Sequence, residues 1–192
     1  MAKTVATTVH GFSAIHTSDW SRQAAILVGA SAFVALCAHI AIPIPGTPVP
    51  LTLQNFAVLL VGLMLGRKRA FAALSLYLAE GVAGLPVFSP GGQGGILQLF
   101  GPTGGYLMAY PFVAALAGWV FSRGSRSFFR GATAGLAGEV LLFAGGIGWL
   151  AFLTHSWARA IQFGLYWFVF AEVIKIMFAA AIAARASRRA QG

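Results

Sequence analysis

The placement of positive charge constrains this chain more than any other feature. Of 13 Lys and Arg residues, 11 stand in groups separated by apolar stretches: Lys3 and Arg22; Arg67, Lys68 and Arg69; Arg123, Arg126 and Arg130; Arg185, Arg188 and Arg189. The stretches between and beside them, roughly 23–42, 51–66, 70–84, 104–122, 132–153 and 163–184, are apolar enough to cross a hydrocarbon core of about 30 Å. With six spans all these cations fall on one side; the other side carries the uncharged linker 43–50, the uncharged stretch 85–103 and a loop with Arg159 alone. The positive-inside bias then puts both termini in the cytoplasm. An odd number of spans would break the alternation. Spans two and three are short, and such segments end in broken turns only where protein covers the loose backbone or a cavity solvates it.

Composition agrees. The chain is 58% hydrophobic and 9% charged, with mean hydropathy +0.81, against about 45–50% and 25% for soluble domains. The sequence therefore predicts an all-α integral membrane protein: a cytoplasmic tail over 1–22, a six-helix membrane domain over 23–184 and a basic cytoplasmic tail over 185–192. Its 192 residues leave no stretch for a separate soluble domain. A net charge of +9 would point to nucleic acid in a soluble protein, but no basic face interleaved with aromatics runs along a helix. The first apolar segment exceeds the core of a cleaved signal peptide, so it reads as an uncleaved span. Cys37 rules out an internal disulfide, and Leu36 before it is a poor match to a lipoprotein cleavage site.

The run GLPVFSPGGQGGILQLFGPTGGY, from Gly84 to Tyr106, is uncharged and rich in glycine and proline. A solvent loop would carry charges, and a spanning helix would not tolerate so many breakers. It reads as a shaped lid between helices 3 and 4, on the outer face, over a pocket. Tyr77, Phe88, Phe100, Tyr106 and Tyr110 flank it, and Trp149 and Trp157 bracket the last outer loop. Most of these suit interface anchoring; a subset suits the walls of a pocket for an apolar ring.

Four charged residues lie inside apolar segments: Glu80, Glu139, Glu172 and Lys175. Each costs about 2.5–3.5 kcal/mol at a bilayer centre, so such residues face a cavity, a partner or an ion path. Glu172 and Lys175, three apart, share a helix face and neutralise each other, which makes them the leading ligand-binding candidates; the competing reading is a structural ion pair. Glu80, directly before the lid run, reaches water or a pocket. Glu139, among small residues, fits an interhelical hydrogen bond. No metal or cofactor is expected. GGQGG lacks the Lys and Ser/Thr of a phosphate-binding loop, no H-E-x-x-H pair occurs, and His39 and His155 stand alone at span ends. Small residues recur at i, i+4: Gly131 with Gly135 and Ala180 with Ala184 suit packing inside the bundle, whereas Ala25, Gly29, Ser31 and Ala35 on span one also suit docking of a partner.

Taken in order, PVPLTLQ (48–54), LMLGRKRA (63–70), LYLAEGVAGLPVF (76–88), GPTGGY (101–106) and the acid-x-x-Lys element at Glu172 and Lys175 resemble the BioY family, biotin-specific S components of energy-coupling-factor (ECF) transporters. In that family a Pro-Gly pair usually precedes an Asp at the acidic position. This chain has Phe170, Ala171 and Glu172, so no helix breaker precedes the acid. The resemblance implies a bacterial cell-membrane subunit that captures biotin on the outer face and hands it inward. The implied partners are a transmembrane coupling protein and ABC-type ATPases, which supply the energy. It implies that Glu172 accepts from the ureido N–H groups and that Lys175 donates to the ureido carbonyl or attracts the carboxylate, with Gln54, Tyr77, Glu80, Phe88 and Tyr106 as further lining residues. The rival function is a proton- or ion-coupled secondary carrier for a small vitamin-like solute, with Glu80, Glu139 and Glu172 as a relay.

Overall fold

The computed structural model describes residues 12–190. Lys3, the rest of residues 1–11 and the last two residues of the basic tail lie outside the described part. Helix α1 (Phe12–His39) leads through two short strands, β1 (Ala41–Ile42) and β2 (Leu51–Thr52), into α2 (Gln54–Val82). Then come α3 (Leu97–Phe100), α4 (Gly104–Ser122), α5 (Phe128–Thr154), α6 (Trp157–Ile161) and α7 (Val169–Arg189), with a π-helical turn at Gln162–Tyr166 between the last two. Helix dominates, as composition predicts. Asp19–His39, Gly104–Ser122 and Phe128–Thr154 are long and apolar enough to cross a membrane, and the bent pair α6–α7 makes a fourth if it counts as one span. The outer surface suits lipid: Phe129, Phe170 and Phe178 are 79%, 80% and 62% exposed, which would drive aggregation in water.

Helix α2 takes the place of the two short spans expected at 51–66 and 70–84. Its single non-helical residue is Gly66, at φ 73° and ψ 175°, a conformation open essentially to glycine alone. A straight helix would hold residues 54 and 77 about 35 Å apart, yet Gln54 Nε2 donates to Tyr77 Oη at 2.8 Å. The two limbs therefore fold back side by side. The cations Arg67, Lys68 and Arg69, expected in a turn, lie in helix directly after the break. Gly118 of α4 packs into the bend, where an added Cβ would sit 2.6 Å from the Gly62 carbonyl oxygen and 2.9 Å from the Arg67 nitrogen.

Three further features differ from the sequence reading. Helix α1 reaches back to Phe12, into the segment expected as a tail. The linker 43–50 is closed by an antiparallel ladder, Ala41 opposite Thr52 and Ile42 opposite Leu51, too short for alternation to reveal. The last span, expected as one helix over 163–184, is broken, with α6 and its π-helical turn bent 45° against α7. The small-residue pairs on α5 and α7 do pack on each other. A Cβ at Gly131 would lie 2.9 Å from Ala180 Cβ, and one at Gly135 2.9 Å from Ile176 Cγ2.

Candidate ligand-binding site

Gln54 and Asn55 form the first turn of α2, directly after β2, so the strand ladder sets where their side chains point. Glu172 stands in the first turn of α7, where its N–H donates to the Phe168 carbonyl at 2.9 Å across the bend. One turn on, Lys175 Nζ donates to Glu172 Oε1 at 2.7 Å and to the Thr52 carbonyl at 2.6 Å. Asn55 Nδ2 donates to Glu172 Oε2 at 2.6 Å and also to Glu139 Oε1 on α5. The resulting chain, Thr52–Lys175–Glu172–Asn55–Glu139, joins β2, α2, α5 and α7.

All four side chains are buried, from 3% exposed at Glu139 to 9% at Lys175. Removing one partner from such a cluster strands a buried charge, at about 3–5 kcal/mol. Both Asn55 N–H groups are spent on carboxylates. Among the described residues its Oδ1 has no partner, and neither has Glu139 Oε2; an Asn carbonyl in that position offers two lone pairs to a donor.

Beside this cluster lies a cavity of about 50 Å³, whose walls include Gln54, Asn55, Tyr106, Tyr110, Phe168 and Glu172. The aromatic walls are held by close approach to glycines. The Tyr106 ring occupies the space a Cβ on Gly146 would fill, and its hydroxyl donates to the Gly164 carbonyl at 2.8 Å. Tyr77, fully buried, accepts from Gln54 and donates to the Val87 carbonyl at 2.9 Å. Phe88 meets its ring edge-on, with centroids 5.5 Å apart, over Gly81.

The glycine-rich run, built of turns and the single helical turn α3, contributes Ser89, Thr103 and Tyr106 to the wall of this cavity. Gln98 braces it from within, accepting from the Gly94 N–H at 3.1 Å and donating to Thr103 Oγ1 at 3.2 Å. Trp149 Nε1 donates to the Gly101 carbonyl at 2.9 Å, so this tryptophan is a strut for the run and not merely an interface anchor. The linker before β2 is tied down as well, through Thr47 Oγ1 donating to the Phe163 carbonyl at 2.7 Å.

Of the residues singled out by sequence, Gln54, Tyr106 and Glu172 line the cavity. Lys175 joins through Glu172, Tyr77 through Gln54 and Phe88 through Tyr77. Glu80 stands apart. It accepts from Ser31 Oγ on α1 and is not among the cavity walls. Ser31 is thereby fully buried, so it belongs to the inside of the bundle and not to a docking face. Ala35 is partly buried, while Ala25 and Gly29 are exposed, with open space around Gly29. Asn55 escaped the sequence reading, and so did the place of Glu139 beside it. The signal was present as two adjacent amides, Gln54 and Asn55, opening an apolar segment.

Fold and site together define a class: a helical membrane protein with an internal cavity walled by aromatic side chains, two amides and a buried carboxylate. The chain belongs to the BioY family, whose sequence profile matches residues 5–192. It is 40% identical over 151 residues to "Biotin transporter BioY2" of Lactococcus lactis subsp. cremoris, covering 78% of this chain and 81% of that one. It is 39% identical over 160 residues to "Biotin transporter BioY" of Thermotoga maritima, covering 83% and 94%. Among solved structures it resembles the S-component for biotin from an ECF-type ABC transporter, with TM-score 0.78 and 27% identity over 89% of this chain and 93% of that one. These relatives are transporters and a transporter component, not enzymes, which agrees with the lack of any catalytic constellation in the sequence.

Proposed function

We propose that this chain is the biotin-capturing subunit of an ECF-type transporter in the bacterial cell membrane. Biotin enters from the outer face, under the glycine-rich lid, and is delivered inward with a transmembrane coupling protein and ABC-type ATPases. The observation that carries this reading is the buried Asn55–Glu172–Lys175 cluster at the cavity wall. Biotin's ureido ring has two N–H donors and one carbonyl. Glu172 and the unpartnered Asn55 Oδ1 accept from the former, and Lys175 donates to the latter. Tyr106, Tyr110 and Phe168 enclose the sulfur ring. A cavity of about 50 Å³ has space for a few waters only, so capture includes movement of the lid or the linker 43–50. Six spans with cytoplasmic termini complete the reading, with the two limbs of α2 serving as the short second and third.

The rival reading as a proton- or ion-coupled carrier needs Glu80, Glu139 and Glu172 in one relay. Glu80 is engaged with Ser31 and the other two with Asn55. Direct binding of labelled biotin to purified protein, with thiamine and riboflavin as competitors, tests the assignment. Saturable binding that neither competitor displaces is expected. Failure to bind biotin, or equal displacement by all three vitamins, ends it.

A further inference from the structure

Next to the binding cavity lies a second, outer chamber whose walls carry no charge. This chamber, about 350 Å³, lies between the linker 43–50 and the glycine-rich run, and it shares Pro50, Ser89 and Thr103 with the inner cavity. The rest of its wall comes from 43–50 and 89–103. Neither segment contains a Lys, Arg, His, Asp or Glu. The inner cavity likewise has no Lys, Arg or His among its walls. Lys175 is not among the walls of either chamber; Glu172 and the Thr52 carbonyl take two of its three N–H groups, and the proposed ureido contact takes the third.

We infer that the outer chamber receives the ligand's side chain and that this side chain is held without an ion pair, so that the site takes biotin derivatives with a neutral, extended tail as well as the free acid. The inference rests on the biotin reading above. If the ureido ring meets Asn55 and Glu172, the tail projects from the other end of the bicycle, past Ser89 and Thr103, into the outer chamber. A carboxylate placed there has only neutral donors and water to replace its hydration, so converting it to an amide removes no charged contact. The chamber is several times larger than the inner cavity and leaves space for what the amide carries.

Competition against labelled biotin separates the possibilities, using purified protein, biotin itself and the amide of biotin with the side-chain amine of lysine. Affinities for acid and amide within about threefold of each other are expected. Biotin binding normally while the amide is weaker by thirtyfold or more overturns this inference alone, since the carboxylate would then be held by a cation, with Lys175 the candidate. Failure of biotin to bind removes the biotin reading and this inference with it. Gln93→Arg, at an exposed position of the chamber wall, should shift the acid-to-amide preference towards the acid by about tenfold at low salt. An unchanged preference contradicts a tail in the outer chamber.

Discussion

At the residue scale the site turns on Asn55, whose two N–H groups are divided between two buried carboxylates, Glu139 and Glu172. Asn55→Leu keeps the volume and removes both donors. It should lower stability by about 3 kcal/mol, seen as a fall of about 6–12 °C in the unfolding midpoint in detergent. An unchanged midpoint would mean the carboxylates find other partners. Lys175→Ala should weaken biotin at least tenfold, about 1.4 kcal/mol, in an equilibrium binding measurement; unchanged affinity makes the Glu172–Lys175 pair purely structural. That pair was legible in the sequence because i, i+3 spacing on a helix is local geometry. Asn55 was not, since a neutral amide costs little in an apolar segment and raises no alarm until its partners, 84 and 117 residues away, are known. The same distance problem hid the engagement of Glu80 by Ser31, 49 residues away.

At the element scale, glycines decide where helices bend and how closely they approach. Gly66 turns α2 back on itself, so Gly66→Ala should cost about 1–3 kcal/mol and separate Gln54 from Tyr77. Gly105→Ala would drive a Cβ to 2.3 Å from Trp149 Cβ and 2.5 Å from the Gly145 carbonyl oxygen, whereas Gly29→Ala meets nothing within 4 Å. Unfolding midpoints of the three variants should therefore divide, with Gly66→Ala and Gly105→Ala well below the parent and Gly29→Ala at or above it. Equal midpoints would contradict the packing described. That an irregularity falls between 51–66 and 70–84 was legible from the shortness of those two segments, but its place at Gly66, with Arg67, Lys68 and Arg69 in helix after it, was not. Nor was the bend before Glu172. Phe170 and Ala171 are not breakers, and the irregularity comes from the π-helical turn, where Gly164 lies against the Tyr106 hydroxyl and its carbonyl accepts from it. A tertiary contact thus accompanies the irregular turn, and π-helical turns of this kind recur at functional sites.

At the scale of the whole molecule, the proposed orientation rests on charge placement, while packing specifies the site. The exposed stripe of α1 containing Ala25 and Gly29 is the proposed docking face for the coupling protein. Gly29→Trp should leave biotin affinity within about twofold while abolishing both co-purification with the coupling protein and uptake in cells; intact uptake would move the docking face elsewhere. The central claim is that the buried Asn55–Glu172–Lys175 cluster recognises biotin and is not simply a means of holding the helices together. The double variant Glu172→Gln/Lys175→Met tests it most directly, because it removes both charges together and strands neither. In equilibrium binding of labelled biotin, beside an unfolding midpoint to show that the protein is folded, the account predicts a folded protein whose affinity falls at least a hundredfold. A folded double variant that binds biotin as the parent does would contradict it.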